Sequence, residues 1–140
     1  MAGLALHAAP DVDDGGGPAA ADRAPALVVT ADRHTTAMMS NGCGLSHRCP
    51  GESGLGERGT AAGVRWSSVA ENVGMGGPVE DTVDPISRTA LGLTRSMIGE
   101  KPPEDGHRGN ILSRSSTRVG IVVIRDATGT VWITHDFAGS

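Results

Sequence analysis

Three side chains have types and settings that could do chemistry: His47 in "LSHRC", Glu71 in "AEN" and His107 in "GHRGN". Imidazole and carboxylate groups together can hold a zinc ion or pass protons in acid–base work. Each of the three reads as lying in a loop or at the edge of an element, where functional groups gather more often than packing groups. Spacing alone gives a weak signal, because the chain has no HExxH helix, GxSxG elbow, CxxC pair or phosphate-binding loop. On that basis a plain surface histidine outweighs a catalytic one at position 107. Cys43 and Cys49 flank His47 as Cys-x3-His-x-Cys, but no second pair of ligands follows to complete a zinc knuckle. The two cysteines suit a small disulfide loop or two buried thiols equally well.

The elements that must position these groups come next. The chain has 140 residues, enough for one domain with a single core. Residues 1–26, rich in Ala, Gly, Pro and Asp, read as a flexible arm, because that composition buries too little apolar surface to offset its ordering entropy. Residues 27–140 read as the folded domain. The stretch "LVVTADRHTTAMMSNG" predicts a helix capped by Thr30 or Asp32 and stopped at Gly42, with His34 on its apolar face as a packed, hydrogen-bonded core histidine. A Gly-punctuated loop follows, then an extended run through Glu71 and Asn72.

The clearest helix is "DPISRTALGLTRSMIGE", with Asp84 as N-cap and Ile86, Ala90, Leu93 and Met97 on one stripe. Glu100 continues that stripe at the helix C-terminus, where the dipole and the apolar surroundings both disfavour a carboxylate. Such local inconsistencies gather at functional sites. Pro102-Pro103 end the helix, and "GHRGNIL" makes about one more helical turn. The ending "RVGIVVIRDATGTVWITHDFA" predicts a β-hairpin. Helices followed by an antiparallel pair give the α+β class.

Several function classes drop out. The net charge of −4 and the scarcity of aromatic residues argue against a nucleic-acid groove. No stretch approaches the roughly 20 apolar residues of a transmembrane helix. The first residues, "MAGLALHAAPDVDD", show no charged leader region, so no signal peptide is visible.

In order along the chain, "LSHRC", "AGVRWSSVAENVG", "GHRGNIL", "RVGIVV" and "VWITHDFA" resemble the CAP superfamily. This superfamily of cysteine-rich secretory, antigen 5 and pathogenesis-related proteins is also called SCP, and the likeness is to its short bacterial members. It covers about residues 27–138. It implies an α-β-α sandwich with a small antiparallel sheet, whose cleft gathers two histidines and two glutamates. Carried over by motif, these are His47, Glu71, Glu100 and His107, with Glu104 as the rival for the second glutamate. The histidines would be metal ligands, for zinc or another divalent ion, and the carboxylates would orient them. His135 stands where the pattern has glutamine, either as a simple swap or as an extra ligand, and Asn110 anchors the turn after His107. The family's first helix, with its Asn-x-x-Arg signature, has no counterpart in residues 1–26.

The resemblance implies an extracellular or envelope-associated binding module for a lipid-like ligand, a peptide or a divalent metal. A metal-dependent, peptidase-like hydrolase on the same residues is the alternative, although no nucleophile or oxyanion hole can be named. A third reading makes the four residues a purely structural hydrogen-bonded network.

Overall fold

A computed structural model describes residues 5–8, 23–40 and 42–140. The elements are β1 (Ala5–Ala8), α1 (Arg23–Met39), α2 (Leu55–Ala61), β2 (Ser68–Gly76), α3 (Val83–Ile98), α4 (Gly106–Leu112), β3 (Arg118–Arg125) and β4 (Val131–Gly139). The strands form one antiparallel sheet in the order β1-β3-β4-β2. The fold is α+β, as the sequence pattern predicts.

The β3–β4 hairpin is organised at its turn by Asp126. Its Oδ1 accepts from the backbone N–H groups of Thr128 (2.9 Å) and Thr130 (3.1 Å), while Oδ2 accepts from the Trp132 indole (2.9 Å). β4 is buried along its whole length, because helices cover both faces of the sheet. Alternation along the strand sorts the two layers. Trp132 packs with Met38 of α1, Thr134 bonds Thr35 of α1 (2.8 Å) and Ala138 packs with Leu27. On the opposite face Val131 and Ile133 pack with Ile86 and Ala90 of α3. α1 lies very close to β3, since a Cβ on Gly120 would run into the backbone of Leu27.

The predicted stripe of α3 is present, with Ile86, Ala90 and Met97 buried and Leu93 partly so. A buried Ile or Met side chain of this kind contributes roughly 1.5–3 kcal/mol. Asp84 is not the cap, however: Thr82 holds the N-cap position and Asp84 sits inside the first turn.

Two further differences from the sequence expectation have local causes. α1 begins at Arg23, so Thr30 lies inside the helix, and its hydroxyl bonds the Ala26 carbonyl (2.9 Å) instead of capping. α2 forms within the stretch expected to be a loop, and the Trp66 ring lies against it at Gly56. A Cβ at Gly56 would sit 2.7 Å from that ring. Most of residues 1–26, the expected arm and the stretch without the family's first helix, lies outside the described residues. Within it, Ala5–Ala8 pair with Ile121–Ile124 of β3, where an edge strand would otherwise leave its backbone groups open.

Candidate functional site

β2 carries the site's central carboxylate. Glu71 pairs across the sheet with Asp136 of β4, and both side chains fall on the α1 face, as Thr134 does. The Glu71 side chain is only 2 % exposed, yet it is richly bonded. The Arg58 guanidinium of α2 donates to Oε2 at 3.0 Å and to Oε1 at 3.3 Å. His47 Nδ1 lies 3.0 Å from Oε1, and His34 Nε2 lies 3.4 Å from the same oxygen. Burial alone would push the Glu71 carboxyl up. Hydrogen bonds from His47, Asp136 and Arg58 and the charge of His34 outweigh it and hold the group at about 2.

His34 of α1 joins this carboxylate to the loop above it. Its ring is fully buried, as expected of a packed histidine, with Nδ1 2.7 Å from a Glu52 oxygen and Nε2 2.7 Å from the Ser46 carbonyl. Both nitrogens face oxygen atoms, so the ring is held at both ends. Glu52 also accepts the Cys49 backbone N–H at 2.9 Å, and Arg58 Nη2 donates to the His47 carbonyl at 2.9 Å. Cys43 and Cys49 form a disulfide across the same loop, so neither is a thiolate ligand and the zinc knuckle is ruled out. The loop is therefore held by a covalent bridge and by side-chain bonds that involve His34, Glu52 and Arg58. His47 emerges from it with 60 % of its side chain exposed. Its bond to Glu71 raises its pKa above 6.5, against burial and the Arg58 charge. With Nδ1 held by Glu71, Nε2 is the nitrogen left for a ligand.

The second pair lies between α3 and α4. His107 Nδ1 is 2.6 Å from Glu100 Oε2, and the Arg108 backbone N–H donates to Oε1 at 3.1 Å. Hydrogen bonding to His107 lowers the Glu100 carboxyl below its usual value. Of the two candidates for the second glutamate, Glu100 makes the contact, while Glu104 is exposed and makes only a backbone bond. The His107 side chain is 37 % exposed and that of Glu100 22 %, so this pair is open to water.

The four expected residues thus form two His–Glu pairs, and amides run between them. Asn110 donates to the Glu71 carbonyl (3.3 Å) and to Asn72 Oδ1 (2.9 Å), and Asn72 donates to the His107 carbonyl (3.2 Å). His135 is buried on the opposite face of β4 from Asp136, with Nε2 3.3 Å from the Thr94 hydroxyl and its ring edge-on to Phe137. Burial, then the His107 charge, lower its pKa to about 4.

Each pair has a carboxylate orienting an imidazole, the arrangement that supports metal-bound histidines. Among the described residues, however, no three His, Cys, Asp or Glu side chains come together to hold one ion. Among the described residues, the metal role expected of His47 and His107 thus finds no third His, Cys, Asp or Glu ligand.

Sequence reasoning missed Glu52, Arg58, Asn72 and Asp136. Only Asp136 carries a visible signal, an acid inside the otherwise buried strand "VWITHDFA". Three depressions lie along the His47 loop and α2, one of them, of about 310 Å³, lined by Glu52 and Arg58 among others. Another of about 490 Å³ is lined by Arg48 through Ser53, and a more apolar one of about 540 Å³ is lined by Gly54, Gly56, Glu57, Thr60, Ala61 and Trp66.

No family model and no curated protein matches the chain. Among solved structures, the fold is similar to an extracellular protein containing an SCP domain from Bacillus anthracis strain Ames, with a TM-score of 0.58 and 22 % identity. The match covers 82 % of this chain and 32 % of the other, so this chain spans about a third of that protein's length. At that identity the likeness shows the fold. Among the described residues no helix is long and apolar enough to cross a membrane.

Proposed function

We propose that this chain is an SCP-type binding module, extracellular or envelope-associated, that receives its ligand beside His47. The observation that carries the reading is the half-emerged His47 ring. A buried, saturated carboxylate fixes its Nδ1 while Nε2 is left for a ligand. The polar depression along residues 48–53 and the apolar one along 54–66 suit an extended ligand with both characters, such as a peptide. A lipid-like ligand would use the second depression, and a divalent ion would bind at His47 Nε2.

A hydrolase reading draws on the same pair, since a carboxylate-oriented imidazole is a competent general base. It lacks a nucleophile and an oxyanion hole. A purely structural role draws on the saturation of Glu71. The test is backbone amide NMR with three probes added in turn: a tryptic peptide digest, phosphatidylcholine vesicles and zinc chloride. The binding reading expects at least one probe to move amides in residues 43–66, and expects His47→Ala to abolish the response while staying folded. Unmoved amides with all three, or shifts that persist in His47→Ala, would overturn it.

A further inference from the structure

Asp136 sits fully buried on the α1 face of the sheet, and neither of its carboxyl oxygens meets a hydrogen-bond donor. That is unusual, because a buried carboxylate without donors is among the costliest groups a fold can hold. The groups around it are few. Glu71 faces it from β2, His34 comes from α1, Arg58 from α2 and Glu52 from the loop, while its β3 register partner is Gly120, which brings no side chain. His47 touches the far side of the cluster through Glu71.

The donors in this cluster are taken without Asp136. Arg58 donates to Glu71 and lies against Glu52, and both nitrogens of the His34 ring face acceptors. Among the described residues no donor lies on either Asp136 oxygen. Glu71 and Asp136 lie within hydrogen-bonding reach, and two acceptors can bond only if one of them carries a proton. Glu71 already accepts from Arg58 and His47, whereas Asp136 accepts from nothing, so the proton belongs on Asp136.

We propose that Asp136 is a neutral carboxylic acid whose hydroxyl donates to Glu71, and that it is a positioning residue holding the Glu71 carboxylate against His47. The direction of its titration agrees: burial, then the bond to Glu71 and the Glu71 charge, raise the Asp136 carboxyl well above its ordinary value, while Arg58 opposes them. The proposal deepens the reading of His47 as the ligand-facing group and takes its functional meaning from that reading. Its test needs no ligand.

Infrared spectroscopy of the full chain labelled with 13C-aspartate should show an isotope-sensitive protonated-carboxyl stretch at neutral pH, and Asp136→Asn should remove it. A parent without that band, or a band that survives in Asp136→Asn, overturns the proposal. Thermal melting adds a second reading. A carboxyl raised in the fold contributes its full stability below the unfolded value of 3.8, and loses it as pH rises through the folded value. Asp136→Asn, whose amide can still donate to Glu71, should therefore gain several degrees on the parent as pH rises above about 4. A pH-independent difference, or one of opposite sign, means Asp136 is ionised.

The positioning role is read on His47 by NMR titration. Asp136→Asn should leave its midpoint as in the parent, and Asp136→Leu, which offers no donor, should move it. An unmoved midpoint in Asp136→Leu removes that role. If His47 binds no probe, the band is unaffected; if the band is missing, amide shifts from a bound probe still stand.

Discussion

The two His–Glu pairs use the same side chains and nearly the same contact, yet they are built differently. Glu71 is buried, points to one face of the sheet and is wrapped by Arg58, His34 and His47. Glu100 lies at the end of a helix, partly in water, with one imidazole and one backbone N–H. A buried carboxylate surrounded by donors cannot swing away, and removing it strands the cations that depend on it. A solvated pair can exchange its partner for water at little cost. One pair is a fixed platform for His47, and the other an adjustable contact at the α3–α4 junction.

The largest expected effect comes from cutting the buried platform. Glu71→Ala should lower stability by about 3–5 kcal/mol, because Arg58 and His34 lose a shared partner in a place with little water. For a domain of this size that corresponds to a melting temperature lower by about 10 °C or more. Glu100→Ala, the matching cut in the other pair, should move it by about 2 °C or less. Equal losses from the two substitutions would erase the contrast.

Next in size is the bridge across the His47 loop. Replacing Cys43 and Cys49 together by Ser removes a constraint on a very short loop and should cost about 2 kcal/mol in urea unfolding. The hydrogen bonds from His34, Glu52 and Arg58 should keep the loop docked, so the His47 amide should stay near its parent chemical shift.

Acid pH separates the two faces of β4. His135 has its pKa lowered in the fold, so its contribution is whole above 6.5 and fades as pH falls toward about 4. Glu71 is also lowered, so its contribution is whole above 4.5 and fades as pH falls toward about 2. Urea midpoints measured against pH should show an upper loss that His135→Gln abolishes and a lower one that Glu71→Gln abolishes. The smallest effect is His107→Ala, which removes a partly exposed ring and should leave the melting temperature within about 2 °C of the parent.

What could be read from the sequence followed from period and punctuation. The 3.6-residue stripe from Ile86 to Met97 and the alternation around a "DATG" turn located α3 and the hairpin, because each pattern is written in consecutive residues. α2 was invisible. Gly56 and Gly59 lower helix propensity, and the reason for Gly56, the Trp66 ring lying on the helix, comes from further along the chain. The site divides in the same way. His47, Glu71, Glu100 and His107 stood out by motif, and Glu100 also as a charge on an apolar stripe. Glu52, Arg58 and Asp136 come from three separate elements, and only the sheet register and the α1 packing bring them to Glu71. No local pattern in "GLGERG" marks Arg58 as the guanidinium that saturates a strand carboxylate.

The most direct test is a proton NMR titration of the His47 ring in the parent and in Glu71→Gln, with the fold of each confirmed. If the buried carboxylate is what sets His47, the ring in the parent titrates above 6.5 and falls back in the variant. A His47 midpoint that is the same in both proteins would contradict the account, since Glu71 would then be a neighbour of the ring and not the group that orients it.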